Sequence, residues 1–101
     1  MFYIYILHSP SSQKYYVGYS NDYHRRFVEH NSVDKLTYTS KYRPWIFKAV
    51  FQCGIIEAGA IKIERFIKKQ KSRLFLEKLI DQNFIPHGPL AQLVRVPHVR
   101  D

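Results

Sequence analysis

The sequence contains a single cysteine, Cys53. One thiol cannot close an internal disulfide and cannot supply a thiolate zinc site, so the chain lacks both kinds of cross-link. Apolar runs of membrane-spanning length are missing, and the N-terminal residues carry neither a basic segment nor a small-residue cleavage site. We therefore expect a protein of a reducing compartment, in the cytoplasm, that has no association with a membrane.

Acidic residues are also scarce: Asp and Glu total 8 against 16 Lys and Arg, which gives a net charge of +8. This excess favours a polyanionic partner, because each Lys or Arg that neutralises a phosphate releases condensed counterions. A basic protein without such a partner has the same composition. Hydrophobic residues make up 46% of the 101 positions, which excludes intrinsic disorder and suits one small globular domain.

The pattern of apolar and turn-forming residues predicts a small α+β domain. The predicted elements, in the order β-β-α-β-α-α, span residues 2–8, 14–19, 22–31, 45–52, 57–70 and 72–81. A polar loop is expected over 32–44. The simplest compact arrangement is a three-stranded antiparallel sheet covered by helices. We expect this domain to span residues 1–82, followed by an irregular C-terminal tail at 83–101 that is rich in Pro and Gly.

Two residues of the first predicted helix stand out for their spacing. Arg26 and His30 are four positions apart, so their side chains project from the same side of the helix. Each also has a simpler interpretation, Arg26 as a solvated helix arginine and His30 as a residue that favours the helix dipole.

A carboxylate interrupts the apolar face of the second predicted helix. Glu64 shares the i, i+3, i+4, i+7 face with Ala60, Ile63 and Ile67. A carboxylate on such a face is costly unless it is paired, hydrogen-bonded or bound to a metal. It could instead lie at the edge of the face, reach water and pair with Lys68. A metal ligand is the interpretation that agrees better with the rest of the chain.

Six of the eight tyrosines fall within the first 23 residues. Strand alternation predicts Tyr3 and Tyr5 on one face of the first strand, and Tyr16 on the same face as Gly18 in the second. A glycine beside Tyr16 leaves room for a substrate backbone to approach. Tyrosine is also a good strand former, and Gly18 could mark a bulge.

Together these features resemble the paired signature of the GIY-YIG nuclease superfamily. The matching segments are Tyr3-Ile4-Tyr5, Tyr16-Val17-Gly18, Ser20-Asn21-Asp22, Arg25-Arg26, Glu29-His30-Asn31, Tyr42-Arg43-Pro44-Trp45, Glu57-Ala58, residues 63–68 and Lys71-Ser72-Arg73. The resemblance covers about residues 2–80 and is closest to small single-domain bacterial members, which are related to the N-terminal domain of the excision-repair nuclease subunit. Tyr3 replaces the glycine that normally opens the first motif.

The resemblance implies an endonuclease that hydrolyses DNA phosphodiester bonds by a one-metal mechanism with a tyrosine general base. It assigns Tyr5 and Tyr16 as the signature tyrosines, either of which is a candidate base. It also assigns catalytic roles to Arg26 and His30, and to Glu64 as the ligand of one Mg²⁺ or Mn²⁺ ion. A late asparagine of the family is matched by a further candidate, Asn83.

Basic residues cluster on and after the predicted glutamate helix. The cluster consists of Lys62, Arg65, Lys68, Lys69, Lys71 and Arg73. We expect it to contact the DNA backbone, which needs no base-specific contact, although a solvated helix face has the same composition. A non-catalytic nucleic-acid-binding module on the same fold is the alternative, and a protein–protein interaction domain is a third. Branched or single-stranded DNA, a partner protein, a homodimer and a role in DNA repair all stay open.

Overall fold

The structure is a computed structural model that describes residues 1–32 and 38–97. Its elements are β1 (Tyr3–Ser9), β2 (Lys14–Ser20), α1 (Tyr23–His30), α2 (Tyr38–Lys41), β3 (Ile46–Gln52), α3 (Glu57–Lys69), α4 (Arg73–Ile80), a 3-10 helix (Gly88–Leu90) and β4 (Val94–Arg95). Within the described residues, no helix combines the length and the apolar character needed to cross a membrane.

The strands form one antiparallel sheet in the order β2-β1-β3-β4. β1 is therefore interior, whereas β2 forms one edge of the sheet. Tyr5 lies at the centre of the sheet, paired with Gly18 of β2 on one side and with Val50 of β3 on the other. This register places the small residue of the edge strand directly beside a large aromatic ring.

Side-chain alternation along β1 divides the core between the two faces of the sheet. Ile4 and Ile6 belong to the cluster that includes the buried residues of α3 and α4. Tyr5 and Leu7 belong to a second cluster, against which Tyr16 and the aromatic residues of α1 pack. The faces therefore follow the alternation predicted from the sequence, with α3 and α4 covering one and α1 covering the other.

Side-chain caps mark the starts of two helices. The Asp22 side chain caps α1 by accepting a hydrogen bond from the Arg25 backbone N–H at 3.0 Å, and Ser72 caps α4 through the Phe75 N–H at 3.1 Å. In α3 the predicted apolar stripe of Ala60, Ile63 and Ile67 is buried. Glu64, on the same helix, is only partly buried.

The α+β class is confirmed, but over the described residues the sheet has four strands rather than the predicted three. The prediction of an irregular tail is wrong over the 3-10 helix and β4. Leu90 and Leu93 in this segment are buried in the α3–α4 core, and Val96 N–H donates to Val50 O at 2.8 Å. The predicted polar loop over 32–44 contains α2, while residues 33–37 and 98–101 lie outside the described residues.

Candidate active site

An open cleft of about 590 Å³ lies along the edge strand β2. It is lined by Phe2, Tyr5, Tyr16, Gly18, Tyr19, Ser20, Asn21, Arg25, Arg26, Glu57, Glu64 and Lys68. Because α1 and α3 cover opposite faces of the sheet, side chains from both faces meet only by reaching around this edge. Four of the five predicted catalytic residues line the cleft, and the fifth, His30, lies directly behind Tyr5.

Tyr5 lies at the floor of the cleft, and its ring crosses the edge strand at Gly18. The side chain is 1% exposed. A Cβ atom on Gly18 would lie 2.5 Å from the Tyr5 ring carbon Cζ and closer still to the hydroxyl oxygen. Real Cβ atoms essentially never come so close to a neighbour, so the missing side chain at Gly18 is what lets the ring reach the cleft.

Two buried hydrogen bonds in series, from Tyr5 to His30 and from His30 to Thr39, hold the Tyr5 hydroxyl in place. His30 Nε2 lies 3.0 Å from the Tyr5 hydroxyl oxygen, and His30 Nδ1 lies 2.9 Å from Thr39 Oγ1. Burial, and then the nearby Arg26 charge, lowers the pKa of His30 to about 4. Burial, and then the neighbouring Tyr16, raises the pKa of Tyr5 to about 12. At neutral pH Tyr5 is therefore protonated, His30 is uncharged, and one hydrogen bond joins their rings.

Arg26 supplies a cation at the wall of the cleft. Its guanidinium forms a short ion pair with Glu29, one turn along α1, and it also interacts with the Tyr5 hydroxyl. The side chain remains 37% exposed. Protein contacts thus orient the planar fork, while its exposed part faces the cleft, where it could meet an anionic ligand.

Glu64 reaches the opposite wall of the cleft from α3. Its side chain is 16% exposed, and Oε1 lies 3.3 Å from Lys68 Nζ. The ammonium of Lys68 is also 5.5 Å from the centroid of the Tyr16 ring. Both interpretations drawn from the sequence are therefore compatible with the geometry, since the carboxylate faces the cleft and is paired with the lysine one turn later.

The donor set suits a hard divalent cation that keeps most of its water. Among residues 1–32 and 38–97, no group of three or more His, Cys, Asp or Glu side chains forms a closed metal cage. Mg²⁺ is commonly held by one or two carboxylates together with water and substrate phosphate oxygens. Glu64 meets that requirement. Glu57 also lines the cleft and accepts a hydrogen bond from the Tyr19 hydroxyl at 3.3 Å.

Two residues of the predicted basic cluster line a cavity next to the cleft. Lys68 and Lys71 line a smaller cavity of about 280 Å³ that adjoins the cleft at Tyr16. Arg73 lies 5.5 Å from the Tyr15 ring centroid and donates to the backbone carbonyl of Gln13, so it also faces the hairpin.

The other predicted nucleic-acid contacts are not among the residues that line the cleft. Lys62 lines a separate groove beside the 3-10 helix. Arg65 and Lys69 are exposed on α3 outside the cleft lining. Asn83 is exposed in the turn after α4, where its N–H donates to Asp81 Oδ1, and it does not line the cleft.

Sequence reasoning missed Thr39, Tyr19 and Glu57 as members of the site. Thr39 belongs to the predicted polar loop, where no periodicity marks a position as buried. Glu57 and Glu64 are seven residues apart in one helix, a spacing that places both carboxylates on the same side and could have identified Glu57. Tyr19 faces away from Tyr16 in strand alternation, so only the position of β2 at the sheet edge brings both to one cleft.

A family model described as the GIY-YIG catalytic domain matches residues 1–78. The matched span includes every residue discussed above that lines the cleft, together with His30 and Thr39, and it ends before Asn83. No curated protein matches the chain.

Proposed function

The chain belongs to the GIY-YIG family, whose members are generally endonucleases, and we propose that it is a divalent-metal-dependent endonuclease that hydrolyses DNA phosphodiester bonds. One observation carries this proposal. Tyr5, Tyr16, Arg26 and Glu64 come from four different elements and from both faces of the sheet, yet they line one cleft. A fold requires no such convergence for stability, whereas phosphodiester hydrolysis requires a base, an anion clamp and a metal ligand close together.

Glu64 would hold the divalent ion, Mg²⁺ or Mn²⁺. A metal bound there supplies Lewis-acid stabilisation of charge on the phosphate and on the leaving oxygen. The partial exposure of Glu64 leaves room for water and phosphate oxygens to complete the coordination. With one carboxylate as the principal protein ligand, we expect weak binding of the ion in the absence of DNA.

Tyr16 is the better candidate for the general base. Tyr5 is almost completely buried and burial raises its pKa to about 12, so Tyr5 is poorly suited to removing a proton from water. Tyr16 is half-buried and lines the cleft, with the Lys68 ammonium 5.5 Å from its ring centroid. As the general base, Tyr16 would take a proton from the water whose oxygen attacks phosphorus.

Arg26 would bind and orient the phosphate, supported by the buried hydrogen bonds that join Tyr5, His30 and Thr39. The Arg26 fork matches two non-bridging oxygens, and its contacts with Glu29 and Tyr5 limit the orientations that it can adopt. Tyr5 is fixed in turn by His30 and Thr39. Neutral His30 can exchange a proton with Tyr5, which would let the pair redistribute charge as the phosphate becomes more negative.

The proposal is tested by incubating the purified protein with labelled duplex, branched and single-stranded DNA in Mg²⁺, in Mn²⁺ and in EDTA. We expect cleavage that requires the metal and that falls sharply in Tyr16→Phe. Tyr23→Phe is the matched control, because this tyrosine packs against Tyr3 outside the cleft lining. Salt-sensitive DNA binding without cleavage in either metal would contradict catalysis and would favour the non-catalytic binding module.

A further inference from the structure

The Lys68 ammonium lies close to Glu64, to Tyr16 and to the border between the cleft and the adjoining cavity. Its Nζ is 3.3 Å from Glu64 Oε1 and 5.5 Å from the centroid of the Tyr16 ring. The side chain also lines both the cleft and the adjoining cavity that contains Lys71. A lysine that served only to stabilise the helix would need just the first of these contacts.

The proposed metal ligand is therefore already neutralised by a cation in the chain without DNA. A carboxylate paired with an ammonium attracts a divalent ion less strongly, because the two cations repel each other at short range. We propose that Lys68 stays paired with the Glu64 carboxylate, and so hinders metal binding, until a DNA phosphate attracts the ammonium away. DNA binding and metal binding are then coupled. This inference rests on the function proposed above.

The exposure of the two partners makes such an exchange feasible. The Glu64 side chain is 16% exposed and the Lys68 side chain is 48% exposed. An ion pair with one partner in water is weak, since water screens the attraction and the long lysine stem loses entropy when it is held. Lys68 can therefore leave at small cost, whereas a fully buried pair would hold the carboxylate permanently.

A destination for the ammonium lies next to its present position. Lys68 lies between the cleft and the smaller cavity lined by Tyr15, Tyr16 and Lys71. A phosphate at that border would be near two lysines, and the flexible four-carbon stem lets Lys68 turn toward it without movement of α3. The same displacement leaves Glu64 free for the metal at the moment when the substrate is present.

The first experiment measures Mn²⁺ binding by titration calorimetry and by the shift of thermal melting, both without DNA. We expect Lys68→Gln to bind Mn²⁺ roughly three- to ten-fold more tightly than the natural chain, because the competing cation is gone. Lys68→Arg should resemble the natural chain, since it keeps the charge. Lys78→Gln is the matched control, an exposed lysine of α4 outside both cavities whose loss gives the same change in net charge.

The second experiment measures the affinity for DNA with and without Ca²⁺, an ion used here to limit cleavage. Binding linkage is reciprocal, so the factor by which the ion improves DNA binding equals the factor by which DNA improves ion binding. We expect this factor to be smaller in Lys68→Gln than in the natural chain. If Lys68 were only a phosphate contact, Lys68→Gln would weaken DNA binding but would leave this factor unchanged.

Failure of this inference can be distinguished from failure of the proposed function. If Glu64→Gln loses metal binding while Lys68→Gln binds Mn²⁺ like the natural chain, the carboxylate is the ligand and the competition by Lys68 is refuted. If Glu64→Gln retains both metal binding and cleavage, the proposed metal site is wrong and the role of Lys68 fails with it.

Discussion

Replacement of Gly18 by alanine provides a sharp test of the geometry that brings Tyr5 to the cleft. The added Cβ would lie 2.5 Å from Tyr5 Cζ, so the ring must move. The ring has little freedom to do so, because Tyr5 is 1% exposed and its hydroxyl shares a 3.0 Å hydrogen bond with His30. Removal of the hydroxyl would not relieve the contact, since Cζ belongs to the ring itself.

The magnitude follows from two contributions. Overpacking of a filled core typically costs about 1–3 kcal/mol, and disruption of a buried hydrogen bond adds about 1 kcal/mol. We therefore expect Gly18→Ala to lower the free energy of unfolding by roughly 2–4 kcal/mol, with loss of cleavage wherever the fold survives.

Urea unfolding followed by far-UV circular dichroism measures this change, with Gly59→Ala as the control. Gly59 lies in α3, and a Cβ there would meet only Gln92 Nε2, at 3.9 Å. Because alanine is favoured over glycine in a helix, this variant should gain up to about 1 kcal/mol. Unchanged stability and activity of Gly18→Ala would refute the placement of the Tyr5 ring across β2.

Three further predictions concern protonation, phosphate binding and a helix cap. Burial lowers the pKa of His30 to about 4 in the fold, against 6.5 for the free side chain, so the unfolded chain is protonated first as the pH falls. The free energy of unfolding should therefore decrease by up to about 3 kcal/mol as the pH drops from 6.5 to 4. Urea unfolding at several pH values measures this decrease, which should be smaller in His30→Gln. Arg26→Lys should reduce single-turnover cleavage by about 10²-fold, because an ammonium cannot contact two phosphate oxygens in the same planar fork. Ser72→Ala should cost about 1 kcal/mol in thermal unfolding through loss of the α4 cap, with cleavage retained at temperatures where the variant is folded.

Local rules were sufficient to predict which face of a strand or helix each site residue occupies. Tyr5 and Tyr16 lie on the face that alternation predicts, and Glu64 shares its helix with the buried stripe of Ala60, Ile63 and Ile67. These outcomes depend on periodicities of two and 3.6 residues, which operate within one element.

The meeting of Tyr5 with Glu64 could not be predicted from those rules alone. The Tyr5 side chain lies on the face of the sheet that α1 covers, whereas Glu64 belongs to α3, which covers the opposite face. They reach one cleft because β2 is an edge strand and because Gly18 leaves the Tyr5 ring room to cross it. Both conditions depend on the tertiary arrangement; the family resemblance, by contrast, had already grouped the two residues.

The fourth strand was missed for a different reason. β4 has only two residues, Val94 and Arg95, too few for any alternation to be recognised. Its position depends on long-range contacts, since Arg95 Nη2 donates to Leu79 O at 2.7 Å and its guanidinium lies 4.8 Å from the Phe51 ring centroid. Proline and glycine nearby indicated an irregular tail, but Leu90 and Leu93 are buried in the core that they complete.

We propose that the cleft along β2 hydrolyses DNA with the help of a metal ion held by Glu64. The most direct test compares single-turnover cleavage in Mg²⁺ by the natural chain, by Glu64→Gln and by Glu77→Gln, an exposed carboxylate of α4 outside the cleft. We expect the cleavage rate of Glu64→Gln to fall by about 10²- to 10³-fold, as for removal of one principal stabilising group, while its fold stays intact and Glu77→Gln is unaffected. Equal cleavage by all three proteins would show that Glu64 does not hold a metal ion needed for cleavage.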